Sequence, residues 1–146
     1  MGLFKKDFLS EEDKNLIISA IKEAEKQTSG EIRLHIEPFC KMDLMDRAAD
    51  VFGFLEMHKT ELRNAVLFYV AYDDHLFAIL GDAGINAVVP NHFWEDIKDT
   101  VIDHLKKNEA AKGLALGIHM TGQLLKEKFP YERGDKNELS DEISIG

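Results

Sequence analysis

Five side chains carry the oxygen chemistry that stands out in this chain: Glu31, Asn64 and Asp82, and the adjacent pair Asp73 and Asp74. Carboxylates, a side-chain amide and loop carbonyls are the donors that hard cations such as calcium or magnesium prefer. Gly81 and Gly84 flank Asp82 and let the backbone approach a ligand closely. Between Arg63 and Lys98 there is no Lys or Arg, while Asp73, Asp74, Asp82, Glu95 and Asp96 all fall inside that span. Grouped acids repel one another, and a bound cation relieves the repulsion. The span therefore reads as acidic and without counter-charge of its own. Each acid also has a plain structural use, since Asp-Asp is ordinary hairpin-turn chemistry.

Other chemistries lack their residues. The six histidines show no HExxH and no paired ligand spacing, so a zinc centre is not expected. His35 alternates with Arg33 and reads as a surface residue. Cys40 is the single cysteine, which rules out an intrachain disulfide, and no histidine stands at a spacing that would activate it. Gly81-x-x-Gly84 is followed by no GKS or GKT, so it is not a phosphate-binding P-loop, and no GxSxG elbow occurs. Trp94 falls at helical spacing with Ile97 and reads as core.

Length and charge set the class. A chain of 146 residues fits one domain with one core. A formal charge of −9, from 27 acidic and 18 basic side chains, repels phosphate backbones and anionic lipid headgroups. Nucleic acid and membrane surfaces are thus poor partners, whereas divalent cations or a basic protein suit the surface. No signal-peptide core and no apolar run of the roughly 20 residues needed for a span is visible. The expectation is a cytoplasmic monomer.

The elements that must position the five residues can be read from periodicity. Ser10 with Glu11, Glu12 and Asp13 forms an N-cap, and Leu16, Ile17, Ala20, Ile21 and Ala24 continue as a helical stripe ended by Ser29-Gly30. Residues 31–37 alternate polar and apolar, a strand with one covered and one more polar face. A helix is expected from about Asp43 to Met57. Residues 65–71 form an unbroken apolar run, a strand buried on both faces. Asp73-Asp74 turn the chain into a return strand over residues 76–80. Gly81-Asp82-Ala83-Gly84 reads as a flexible loop, Pro90 and Asn91 open a third helix, and a fourth runs from about Ala110 to Phe129.

The order α-β-α-β-β-α-α predicts an α/β domain, three-layer-like (α/β/α), with a small mixed sheet. It holds one right-handed β-α-β crossover and one hairpin. Residues 131–146 read as a polar, acidic, flexible tail beyond a domain spanning 1–130. In this topology one end of the sheet gathers Glu31, Asn64 and Gly81-Asp82. The opposite end gathers the 38–46 loop and Asp73-Asp74, and ligands in open α/β sheets usually sit beyond the carboxyl ends of parallel strands.

Several short patterns in this order resemble one family. They are Thr28-Ser29-Gly30-Glu31-Ile32, Asn64-Ala65-Val66-Leu67, Asp73-Asp74 and Gly81-Asp82-Ala83-Gly84. The closing Val88-Val89-Pro90 and Gly113-Leu114-Ala115-Leu116-Gly117-Ile118 complete them. Together, over about residues 9–129, the chain resembles the TPM domain family. Ala65 stands where that family usually has glycine, and the 81–85 loop is poorer in Gly and Glu than is common. Many relatives also carry a signal peptide and a membrane anchor.

The resemblance implies divalent-cation binding, and because the family-like residues cluster at the end with Glu31, Asn64 and Asp82, it favours that end. It also implies a phosphatase activity, since reported phosphatases belong to the family. Phosphoryl transfer requires positive charge around the phosphate, and the acidic span has none, so cation binding with a regulatory or interaction role is the leading expectation. A weak metal-dependent acid phosphatase and a metal-free protein-interaction module are the alternatives.

Overall fold

The computed structural model describes residues 8–90, 92–131 and 138–146. The first helix, α1 (Glu11–Glu25), starts where expected, because Ser10 Oγ accepts from the Asp13 amide (3.0 Å) and Asp13 returns a bond to the Ser10 amide (3.1 Å). That reciprocal capping box satisfies two amides that a helix start otherwise leaves open. Strand β1 (Glu31–Glu37) follows, then α2 (Leu44–Phe54), capped by Asp43 and trailed by a 3-10 turn at Met57–Lys59. Strands β2 (Ala65–Ala71) and β3 (Leu76–Gly81) form the hairpin. The helices α3 (Ala83–Asn86), α4 (Glu95–Lys106) and α5 (Ala110–Lys128) come next, and β4 (Ser144–Ile145) closes the chain.

The sheet order is β3-β2-β1-β4. β1 and β2 run parallel with Glu31 opposite Ala65, and β2 and β3 run antiparallel with Val66 opposite Gly81. The expected mixed sheet and the three layers are both present. On one face Ile32, Leu34, Ile36, Val66 and Phe68 pack against Ile17 and Ile21 of α1, Ile97 and Val101 of α4, and Leu114 and Ile118 of α5. On the other, Leu67, Tyr69 and Ala71 meet Ala48, Val51 and Phe52 of α2. The unbroken apolar run of β2 is buried at all seven positions because helices cover both of its faces.

Four expectations need correction. The 81–84 segment is not a loop: Asp82 caps α3, its Oδ1 accepting from the Ala83 amide at 2.7 Å. α2 ends at Phe54 rather than Met57, since the chain turns left-handed at Glu56 (φ 57°). α4 begins at Glu95, past Pro90; Asn91 lies outside the described residues. Residues 138–146, expected as a free tail, return to the sheet, where β4 pairs parallel with β1 through His35–Ser144 and Ile36–Ile145. Residues 132–137 of that expected tail lie outside the described residues.

Close backbone approach dictates two glycine positions. In α5, a Cβ at Gly117 would fall 2.5 Å from Val101 Cγ2, so the glycine lets α4 cross α5 tightly. At Gly84 a Cβ would lie 2.1 Å from the Leu62 carbonyl oxygen and 2.6 Å from that of Arg63. Both obstacles are backbone and cannot swing aside. Gly84→Ala is therefore expected to cost about 3 kcal/mol by overpacking, read as a lower urea midpoint. An unchanged midpoint would mean that the 60–64 turn shifts freely.

Candidate functional site

The five oxygen-bearing residues divide between the two ends of the sheet. Glu31, Asn64 and Asp82 gather at the start of β1: the Glu31 amide donates to the Asn64 carbonyl (3.3 Å), and the Asp82 amide to the Ala65 carbonyl (3.0 Å). Asp73 and Asp74 lie beyond the far end of β2, seven residues away, or about 20 Å of strand. There the Asp74 carboxylate accepts from the Cys40 amide at 2.7 Å, closing the hairpin turn against the 38–42 loop.

At the near end the side chains have separate partners. Asn64 is buried, with Nδ2 donating to Ser29 Oγ at 3.3 Å. Asp82 receives Arg63 Nε at 2.7 Å and Nη2 at 2.8 Å, a two-pronged pair that neutralises it. The acidic span was read as having no counter-charge of its own. Arg63, at its boundary, supplies one: a positive φ of 53° turns the chain back so that its guanidinium meets Asp82. No spacing in the sequence announces that pairing.

Glu31 is different. It is 2% exposed; Oε1 accepts from the amides of Glu138 and Leu139, while Oε2 is buried without a hydrogen-bond partner. Burial pushes its carboxyl up to about 7, against the pull of those two amides. Beside it, Glu25 at the end of α1 accepts from the Ile32 amide with Oε2 (3.0 Å), and its Oε1 is also buried and unpartnered. Burial first, and then Asp141 within hydrogen-bonding reach, drive the Glu25 carboxyl up to about 10. Two carboxyls this close disfavour each other's ionised form, and Asp141 also has an interaction partner of its own. Glu31 and Asp141 also repel each other across the cluster. Arg33, two residues on in β1, makes no ion pair with them among the described residues, and its Nε is itself buried without a partner.

Sequence reasoning missed Glu25 and Asp141. For Glu25 a signal existed, since it follows Ile17 and Ile21 at the next i+4 step of the buried stripe, where a carboxylate is out of place. Asp141 belonged to the expected tail and gave none.

The outer half of β1 carries a second polar group. Glu37 accepts from Arg47 twice (Nε to Oε2 and Nη2 to Oε1, both 2.8 Å), from His35 Nε2 (3.0 Å) and from the Tyr69 hydroxyl. Arg47 first, with Tyr69 and His35, holds the Glu37 carboxyl down at about 2, in spite of burial. His35, read as a surface residue, is 5% exposed. Its ring stacks on Tyr69 (centroids 5.9 Å), and Nδ1 meets Ser144 Oγ at 2.8 Å. The correction has a simple cause: the C-terminal segment covers the polar face of β1. With all its acceptor capacity used, Glu37 is a clamp rather than a reactive group.

A family model described as TPM domain matches residues 4–124. The chain belongs to the TPM domain family. The TPM fold here is shared at 43% identity by BA42 protein from the psychrophilic bacterium Bizionia argentinensis, whose NMR structure superposes with a TM-score of 0.92 over 97% of each chain. The N-terminal domain of cg2496 protein from Corynebacterium glutamicum, at 13% identity and a TM-score of 0.62 over 88% of this chain and 78% of that one, shares the fold alone. No curated protein matches the chain. Among the described residues no helix of this TPM domain is long and apolar enough to cross a membrane.

Proposed function

We propose that this TPM domain binds a divalent cation at the start of β1, through Glu31, Glu25 and Asp141, and thereby fixes its C-terminal segment against the sheet. The observation that supports the reading is the pair of buried, unpartnered carboxylate oxygens, Glu31 Oε2 and Glu25 Oε1. Leaving such oxygens unsatisfied is costly, and a cation is one of two things that remove the cost; a proton is the other. As placed, no three His, Cys, Asp or Glu side chains among the described residues converge tightly enough to hold an ion. Binding therefore requires residues 138–141 to draw inward, and the two amide bonds onto Glu31 make that segment the one coupled to the site. The irregular oxygen set suits calcium, which tolerates varied geometry, better than magnesium, which demands a near-ideal octahedron. Asn64 and Asp82 lie at the same end but are already engaged by Ser29 and Arg63, so they act as supports rather than ligands. The domain's role on this reading is regulatory: cation binding decides which surface the covered edge of β1 presents to another protein.

Calcium titration followed by amide chemical shifts tests it. The expected result is saturable change at Glu31 and at Glu138–Asp141, with Glu31→Gln weakening binding at least tenfold. Millimolar calcium that leaves those residues unmoved in the folded protein sinks the proposal, as does unchanged affinity in the variant.

A further inference from the structure

The far end of the sheet holds a cavity of about 680 Å³, within the roughly 300–1,000 Å³ of small-molecule sites. It opens beside the 72–76 turn, at the carboxyl end of β2, the end of an open α/β sheet that usually takes ligands. One wall is aromatic: Phe8 stacks on Tyr72 with ring centroids 4.7 Å apart and planes 7° from parallel. Opposite stand Ile102 and Leu105 of α4. Lys98 and Lys106, four residues before and after Ile102 on the same helix, bring positive charge to the rim.

Both lysines are exposed, and neither has an ion-pair partner among the described residues. Their ammonium groups are therefore open to a ligand at the rim. Asp73 also lines the cavity, but its carboxylate is not a free charge there. Two further lining residues, His75 (φ 57°) and Asn108 (φ 60°), hold the left-handed backbone that non-glycine residues rarely adopt. Both are turn positions, His75 in the hairpin and Asn108 just past the end of α4, and they fix the shape of the cavity mouth.

We propose that this cavity binds a small amphipathic anion: an aliphatic or aromatic body seated between the Phe8–Tyr72 wall and α4, with one carboxylate or phosphate group reaching Lys98 and Lys106. Apolar walls supply affinity through burial, and the two ammonium groups on flexible stems fix the end at which the charge emerges. This site is independent of the cation cluster, which lies at the other end of the strands.

The test is titration of the full chain with decanoate below its micellar concentration, followed by amide shifts. Decyltrimethylammonium and inorganic phosphate serve as matched probes of body and head. Saturable shifts at Tyr72, His75, Ile102 and Lys106 are expected with decanoate only. Reversing both charges, Lys98→Glu with Lys106→Glu, is expected to weaken decanoate binding tenfold or more; the two side chains are exposed, so the fold is retained. Equal binding of the cationic probe, equal binding of phosphate alone, unchanged affinity in the reversed variant, or no decanoate shifts at these residues would each overturn the proposal. None of these outcomes depends on calcium, so the two sites stand or fall separately.

Discussion

Glu37→Ala is expected to destabilise the domain by about 3–5 kcal/mol, the usual cost of removing one partner of a buried ion pair. At this chain length that corresponds to a fall in melting temperature of roughly 10 °C. The size follows from what is stranded. Arg47, His35 and Tyr69 all donate to Glu37, and each would lose that acceptor, His35 and Tyr69 in the protein interior. Arg47 is about one-third exposed, so solvent recovers part of the loss at its guanidinium. A double-mutant cycle with Arg47→Met isolates the pair, and a coupling energy near zero would contradict the clamp. The pH dependence has a definite sign. Glu37 is held at about 2, below its ordinary 4.5, so its contribution is complete above about 4.5 and disappears as pH falls toward 2. In Glu37→Ala that acid-side loss should be absent.

Glu25→Gln is expected to act in the opposite direction, raising stability in calcium-free solution by about 1–3 kcal/mol at pH 7 to 8. With Glu25 raised from 4.5 to about 10, the folded protein holds a proton that the unfolded chain has released throughout that window. Stability from this group is therefore full below about 4.5 and declines as pH rises, by at most about 1.4 kcal/mol per pH unit. Glutamine is neutral at every pH, can still accept from the Ile32 amide, and can donate to Asp141. The variant's urea midpoint should hold steadier than the parent's between pH 5 and 9. On the cation reading the same substitution weakens calcium binding, so a protein that is more stable but binds less is the specific signature. A variant no more stable than the parent at pH 8 would show that the Glu25 carboxyl does not carry the strain assigned to it.

Local chemistry was enough for most of the fold. The Ser10 cap, the stripe through Ile17 and Ile21, the alternation in β1 and the apolar run of β2 each follow from patterns within a dozen residues. The hairpin and the parallel crossover follow from the order of those elements. The helix start expected at Pro90 and Asn91 fell early: α4 begins at Glu95, after Trp94, whose ring packs against Gly81 in a contact that no local pattern encodes.

The site was less legible. Glu31 stands at the entry of β1, where the alternation of residues 31–37 places it, but the groups around it could not be read from the sequence. Asp82 looked uncompensated because Arg63 is 19 residues away in the chain and reaches it only through a turn at positive φ. Glu25 and Asp141 meet across more than a hundred positions, in a contact made only when the C-terminal segment folds over β1. What the residues by themselves determined was the layering and the acidic character, which short-range periodicity and composition carry, and the family resemblance, which rests on short motifs in a fixed order. Which charges pair, which are left buried and alone, and where the cavity opens were decided by the tertiary structure, because those depend on distances between segments that no local pattern encodes.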